Sequence, residues 1–137
     1  MEDETEASIG QQLRIDKKGV LPDLDNNIQC GNSLISPDFY DEQLNFDAEE
    51  KKKINAFDWK AGFPSVFKQG GFDAVIGNPP YLKLTANNID AKILDYYQQK
   101  YLAYSGGSSK NLFQIFLEKT IQLKPKLFSF IIPEAFL

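Results

Sequence analysis

The chain has 137 residues, a formal net charge of −4, 42% hydrophobic residues, one cysteine and no histidine. This length and apolar content suit one globular core rather than a disordered chain. Because Cys30 is the lone cysteine, disulfide scaffolds and Cys/His zinc sites within one chain are excluded. A duplex-binding surface is normally strongly basic, so the main contact with any DNA is expected to lie outside this chain.

The first residues predict a segment that precedes the folded domain. Residues 1–20 are polar and acidic and have no clear apolar period, so they are expected to form a flexible lead, with the domain at residues 21–137. The acidic start is opposite in charge to a secretory signal peptide. No apolar run approaches the ~20 residues that span a membrane. The sequence therefore predicts a cytoplasmic protein without membrane contact.

The first predicted strand comes shortly before two small polar residues. Ile28 and Cys30 alternate with polar neighbours, as in a short strand, and Gly31 ends the alternation. Asn32 and Ser33 are then expected at the end of this strand. A simple tight turn explains the same residues.

A charged helix is predicted next. Residues 47–53 place acidic residues before basic ones, which is the charge order that favours a helix. Three apolar residues behind it, Ile54, Phe57 and Trp59, would dock this helix on the sheet. Phe63 and Phe67 are expected to pack in the core, and Gly70-Gly71 predicts a turn into the central strand.

The central strand is predicted at residues 72–76. This short apolar run is followed by Gly77 and by the tetrapeptide Asn78-Pro79-Pro80-Tyr81. A run of this length, bounded by Gly and Pro, is typical of a buried strand in an α/β sheet. Two prolines cannot continue a strand ladder, so Asn78 is expected at the carboxyl end of the strand, where open α/β sheets bind ligands.

The chemical groups of residues 78–81 suit a planar ring that carries an amino group. The Asn78 side chain and the Pro79 carbonyl accept hydrogen bonds, the prolines stiffen the loop, and Tyr81 offers a flat face for stacking. Two plainer interpretations are a Pro-Pro turn after a strand and a Pro-Pro-Tyr ligand for a WW-type domain. The preceding apolar strand disfavours the second, because such ligands lie in disordered polar segments.

Two helices and a second buried strand are predicted after this loop. Apolar spacing predicts an amphipathic helix at residues 89–104, whose tyrosines are interpreted as packing residues, and a flexible loop at residues 105–109. A second helix at residues 110–123 would be capped by Ser108 or Ser109. Residues 127–132 predict a strand that Pro133 closes.

Asn78-Pro79-Pro80-Tyr81, after an apolar strand, resembles the N-P-P-Y motif of S-adenosylmethionine-dependent N6-adenine DNA methyltransferases. The resemblance implies methyl transfer to N6 of an adenine flipped out of the duplex. In that family the motif's Asn side chain and first Pro carbonyl accept hydrogen bonds from the amino group, and the Tyr stacks on the base. Catalytic roles are thus implied for Asn78, Pro79, Pro80 and Tyr81.

The segment CGNSLI at residues 30–35 resembles the type IIG restriction–modification enzymes. This resemblance implies a role in a restriction–modification system, with S-adenosyl-L-methionine as the cofactor. Asn32 replaces the commoner Asp of that family, and its carbonyl would accept a hydrogen bond from the cofactor's amino group without charge assistance. Cofactor contacts are implied for Asn32, Ser33 and Asn78.

Other functions stay open at this stage. The N-P-P-Y motif also occurs in methyltransferases that modify protein glutamine or RNA bases. A non-catalytic interaction module that kept the fold and lost the cofactor cradle is a further alternative. The CGNSLI wording and the long spacing between Asn32 and Asn78 favour the DNA group.

The resemblance implies an α/β fold, a partial Rossmann-like methyltransferase fold with the middle strands and helices only. The three predicted strands correspond to the third, fourth and fifth strands of the family sheet, and the last two are neighbours that can pair. The family's Gly-rich loop is absent, which leaves the cofactor pocket incomplete. Double-stranded DNA would be bound through parts outside this chain, and unpaired sheet edges favour self-association.

Overall fold

The computed structural model describes residues 24, 26–41, 46–105 and 110–132. The predicted lead at residues 1–20 lies outside this part of the chain. A 3-10 helix at Pro37–Tyr40 comes first among the described elements. It is followed by α1 (Ala48–Ile54), α2 (Trp59–Gly62), α3 (Pro64–Lys68), β1 (Ala74–Gly77), α4 (Ala91–Lys100), α5 (Leu102–Ser105), α6 (Leu112–Leu123) and β2 (Leu127–Phe130).

The sheet of the described residues is a parallel pair of β1 and β2. Its register runs from Ala74 opposite Leu127 to Gly77 opposite Phe130. Parallel neighbours need a long crossover connection, and α4, α5 and α6 supply it here. The predicted pairing of the central strand with the C-terminal strand is confirmed. The chain is thus α/β in class.

The predicted strand around Ile28 and Cys30 is wrong. Residues 28–30 have no regular structure, and the side chain of Ile28 is 69% exposed. A strand needs a neighbour for its backbone groups, and within the described residues pairing begins only at a single parallel bridge between Asn32 and Ala56. Gly31 permits this approach, because a Cβ atom there would lie 2.7 Å from the Phe57 Cβ atom.

The two observed strands are more exposed than predicted. Ile76 is 86% exposed and Leu127 is 71% exposed. Apolar runs of this kind normally lie in parallel sheets that are covered on both faces. Much of this apolar surface is uncovered, so the prediction of burial is wrong for these two strands within the described residues.

Helix α1 forms for the reason that the charge order indicated. It spans Ala48–Ile54, so it begins and ends one residue later than the predicted range, with Asp47 as the N-cap. Asp47 caps its N-terminus by accepting a 2.8 Å hydrogen bond from the Glu50 amide, and the Glu50 carboxylate accepts in turn from the Asp47 amide. This reciprocal capping box satisfies donors that the first turn leaves unpaired.

Helix α6 is confirmed, but its predicted cap is wrong. The helix begins at Leu112, and Asn111 is the N-cap: its side chain accepts from the Phe113 amide, while Gln114 accepts from the Asn111 amide. Ser108 and Ser109 lie outside the described residues. Asn is as good an N-cap as Ser, and a capping partner three residues on, Gln114, favours Asn111.

The helix predicted at residues 89–104 is divided in two. Tyr101 has an extended backbone, with φ −126° and ψ 122°, and separates α4 from α5. The Glu118 carboxylate on α6 accepts hydrogen bonds from the Leu102 and Ala103 amides at 3.1 and 2.7 Å. The first amides of α5 have no partner within their own helix, and a side chain of the neighbouring helix α6 accepts their hydrogen bonds instead.

The core is built largely from aromatic rings. The predicted packing role of the α4 tyrosines is confirmed, since Tyr96, Tyr97, Tyr101 and Tyr104 are buried together with Ile35 and Ile115. A second set of edge-to-face and tilted ring contacts ends at Phe72, just before β1, and confirms the packing roles of Phe63 and Phe67. Its members are Phe57, Trp59, Phe63, Phe67 and Phe72. Gly70 and Gly71 have positive φ angles, as a turn into β1 requires.

Candidate active site

The tetrapeptide at residues 78–81 leaves the carboxyl end of β1, as predicted. Pro79 is buried, whereas Asn78, Pro80 and Tyr81 are exposed. The last link to β2 is a 3.2 Å hydrogen bond from the Ile131 amide to the Gly77 carbonyl. Beyond it, the prolines offer no donor and the backbone turns away from the sheet. The Asn78 side chain therefore stands at the edge of the sheet, open to a ligand.

Tyr81 is fixed by contacts with two other elements. Its hydroxyl donates to the Ile131 carbonyl just beyond β2 and lies 3.4 Å from Asn78 Oδ1. Its ring meets that of Phe113 on α6 edge to face, with centroids 6.5 Å apart. The side chain stays 45% exposed. A planar ligand can therefore reach an aromatic ring whose position is already set, next to the Asn78 carboxamide.

The chain after Tyr81 is paired with the start of α6. The Leu84 amide donates to the Lys110 carbonyl at 2.9 Å, and the Leu112 amide donates to the Leu82 carbonyl at 2.8 Å. These two bonds form an antiparallel bridge between Lys83 and Asn111. Both ends of the loop are thus attached to the fold. Sequence reasoning missed this pairing, because partners almost thirty residues apart leave no local signal.

Gly77 permits the close contact of β1 and β2 beside this loop. A Cβ atom at Gly77 would lie 2.6 Å from Phe130 Cε1. Gly77→Ala is therefore expected to lower the free energy of unfolding by about 1–3 kcal/mol, since the ring or the strand must move. Thermal unfolding followed by circular dichroism measures this change. In a Phe130→Ala background, which removes the ring, the same substitution should cost much less; an equal loss in both backgrounds would contradict the steric explanation.

Asn32 forms a tight turn whose side chain is already engaged. Its Oδ1 atom accepts from the Leu34 amide at 3.2 Å, and its backbone carbonyl accepts from the Ile35 amide at 3.2 Å. The Ser33 carbonyl accepts a 3.0 Å hydrogen bond from the Trp59 indole. A carboxamide oxygen has a second lone pair, so Asn32 can still accept one hydrogen bond from a ligand.

A pocket of about 380 Å³ opens beside Asn32. Its apolar wall comes from Phe39, Ile54 and Ile93, and charged side chains stand at its rim. Residues 78–81 do not line it. The structure thus brings Asn78 and Tyr81 together at one place and Asn32 and Ser33 at a second, and neither Asn78 nor Tyr81 lines the pocket beside Asn32.

The comparisons with known proteins assign the class. Over residues 8–137 the chain matches the sequence model of the Eco57I restriction-modification methylases. The chain belongs to this family, which confirms the resemblance to restriction–modification methyltransferases.

Two curated relatives are similar to this chain. It is 32% identical, over 140 aligned positions, to the type II restriction enzyme and methyltransferase RM.Eco57I of Escherichia coli, and it covers 12% of that protein. It is 52% identical over 33 residues to a putative type II restriction enzyme and methyltransferase of Methanocaldococcus jannaschii, RM.MjaORFECS2P, and that match covers 3% of the relative. No solved structure matches the chain. Among the described residues, no helix has the length and apolar character needed to cross a membrane.

Proposed function

We propose that this chain carries the base-binding loop of an adenine-N6 DNA methyltransferase that acts in a restriction–modification system. One observation carries the proposal: Asn78 and Tyr81 lie together and exposed at the carboxyl end of β1, with their groups 3.4 Å apart. Membership in a family of restriction-modification methylases supports the reaction class. The parallel β-pair with its helical crossover is compatible with part of a Rossmann-like fold.

The loop would activate an amino group rather than deprotonate it. The N6 lone pair of adenine is delocalised into the ring, which makes the nitrogen a poor nucleophile. Asn78 Oδ1 and the Pro79 carbonyl would each accept one amino hydrogen and so draw the lone pair out of conjugation. Pro80 would keep the two acceptors in place, while the Tyr81 ring would stack on the flipped base. No histidine is required, and the sequence has none.

The residues around Asn32 fit one part of an S-adenosylmethionine site. The free lone pair of Asn32 suits a purine amino hydrogen, and the apolar wall beside it suits a purine ring. Asn32 and Ser33 would hold the cofactor at this turn, and Asn78 would meet it from the loop. When bound, S-adenosylmethionine supplies the electrophilic methyl group. The chain's own contribution is to accept hydrogen bonds from the base and to orient it.

Cofactor binding and substrate choice test this proposal together. The tests use a protein that carries this sequence within a complete methyltransferase domain, because the cofactor pocket and the DNA contacts are incomplete in the chain alone. Calorimetric titration of that protein with S-adenosylhomocysteine should show one-to-one binding that Asn32→Ala weakens. Its incubation with tritiated S-adenosylmethionine and duplex DNA should place the label on N6-methyladenine after digestion. Label recovered only in RNA or on protein glutamine would replace DNA as the substrate. A folded, complete domain whose affinity for S-adenosylhomocysteine is unchanged in Asn32→Ala would contradict the cofactor site at this turn.

A further inference from the structure

The Asn32 turn (residues 32–38) is held by side chains rather than by a strand ladder. The Tyr101 hydroxyl is buried and donates a 2.6 Å hydrogen bond to the Leu34 carbonyl. The Tyr96 hydroxyl accepts a 3.1 Å bond from the Ser36 amide. In the described part of the chain, strand-type pairing of this turn is limited to the single bridge with Ala56. The segment after α1 also holds the turn, through two backbone bonds at Asn32 and Ile35 and through the Trp59 indole. Helix α4 and the residue that follows it add the hydroxyl contacts at Leu34 and Ser36.

A charged pair supports the same contact from the surface. The Tyr96 hydroxyl donates to Asp38 Oδ1 at 3.0 Å, and Lys100 Nζ lies 2.8 Å from Asp38 Oδ2. Partial burial alone would raise the pKa of Asp38, but the hydrogen bonds from Lys100 and Tyr96 outweigh it and hold this pKa below its usual value. Asp38 therefore stays ionised at neutral pH and keeps the Tyr96 hydroxyl oriented toward the turn.

Helices α5 and α6 connect Tyr101 to the candidate base-binding loop at residues 78–81. The Glu118 carboxylate on α6 holds the Leu102 and Ala103 amides, which directly follow Tyr101. The first residues of α6 pair with the segment that follows residues 78–81. A continuous set of contacts thus runs from the Asn32 turn through Tyr101, α5 and α6 to the loop. Within the described residues, no strand pairing joins the turn to β1.

We propose that Tyr101 is a positioning residue, which fixes the Asn32 turn at a set place relative to residues 78–81. The inference rests on the proposed function, in which the turn holds the cofactor and the loop holds the base. Tyr101 would act through Leu34, whose amide donates to Asn32 Oδ1. Its loss would leave a buried carbonyl without its donor and would loosen the turn. Glu118 would support Tyr101 by accepting the hydrogen bonds of the two amides that directly follow it.

Tyr101→Phe tests the proposal with Tyr97→Phe as a matched control. Both tyrosines are at least 95% buried and associated with α4, with exposures of 3% and 4%. No hydrogen bond joins the Tyr97 hydroxyl to the described residues of the Asn32 turn. In Tyr101→Phe, we expect S-adenosylhomocysteine to bind about five-fold more weakly, and deuterium exchange at the Leu34 and Ile35 amides to be faster by a similar factor. Tyr97→Phe should change neither quantity.

Four comparisons separate the outcomes. Equal effects of Tyr101→Phe and Tyr97→Phe, in proportion to their loss of thermal stability, would overturn the positioning role. So would a Tyr101→Phe variant with wild-type affinity while Asn32→Ala binds weakly, although the proposed function would then survive. If the wild-type chain binds no S-adenosylhomocysteine, both fail. Glu118→Gln keeps every core ring but weakens the hydrogen bonds to the Leu102 and Ala103 amides, so it should also weaken S-adenosylhomocysteine binding. An unchanged affinity in Glu118→Gln would count against the proposal.

Discussion

Asn78→Ala is expected to lower the rate of DNA methylation by about 100- to 1,000-fold, a larger factor than its effect on cofactor affinity, because Asn32 and Ser33 keep the other proposed cofactor contacts. The substitution removes one of the two acceptors for the amino hydrogens, and preorganised groups aimed at a reacting centre contribute effects of this size. The Asn78 side chain is exposed, and its hydrogen bond from the Tyr81 hydroxyl is long, at 3.4 Å. The loss of this side chain should therefore not unfold the chain. Single-turnover transfer of tritiated methyl groups to duplex DNA measures the effect.

Substitutions at Tyr81 provide the matched comparison for this result. Tyr81→Phe keeps the stacking ring and loses only the hydroxyl that donates to the Ile131 carbonyl, so a reduction below about ten-fold is expected. Tyr81→Ala removes the ring, and base–aromatic stacking contributes about 1–3 kcal/mol. A rate that is unchanged in Asn78→Ala, with unchanged circular dichroism, would contradict the role of this loop in activating the amino group.

The features that sequence predicted well are those with local signals. β1 is a short apolar run between Gly-Gly and Pro-Pro, and the tetrapeptide after it leaves the sheet because the prolines remove two donors. Helix α1 shows its own cap at Asp47, and α6 shows a continuous apolar face. The pairing of the two strands came from the family resemblance and not from the residues themselves.

The features that sequence missed depend on partners far along the chain. Ile28 and Cys30 alternate correctly for a strand, but a strand forms only where a neighbour supplies a ladder. Tyr101 looked like one more apolar residue of a long helix, yet its extended backbone lets its hydroxyl reach Leu34, 67 positions away. Hydrogen bonds between residues so far apart in sequence depend on the tertiary structure, and no local sequence pattern predicts them.

The exposure of the sheet shows a second limit. Ile76 and Leu127 lie in short apolar runs that are typical of buried strands, yet both are largely exposed. An apolar run shows that a strand is suited to burial. It does not show which residues cover the strand. The chain covers 12% of its Escherichia coli relative. The predicted self-association through these edges stays a prediction, and sedimentation at several concentrations would test it.

Raising the pH from 10 to 12 is expected to unfold the chain through its buried tyrosines. Burial, aided by the neighbouring Tyr96, raises the pKa of Tyr97 from 10 to about 12, and burial also raises the pKa of Tyr101. In the unfolded chain both groups ionise near pH 10, so above that pH their ionisation lowers the free energy of the unfolded state but not that of the folded state. Each tyrosine then removes about 1.4 kcal/mol of stability per pH unit.

Over these two pH units, the loss from both tyrosines reaches about 4 kcal/mol, which is a large part of the stability of a small domain. Their stabilising effect is therefore complete below pH 10 and disappears as the pH rises toward their folded pKa values. Tyr97→Phe removes one titrating group and should move the alkaline midpoint up by about half a pH unit or more. Circular dichroism at 222 nm, with tyrosinate absorbance recorded in parallel, follows the transition.

Ile115→Val is the control for this experiment. Ile115 is fully buried and cannot ionise, so its truncation should cost about 0.5–1.5 kcal/mol at every pH and move the alkaline midpoint down. All three proteins carry the same lysines, so the opposite directions of the two shifts isolate the contribution of Tyr97. A Tyr97→Phe midpoint at or below the wild-type value would show that ionisation of this buried hydroxyl does not drive the alkaline unfolding.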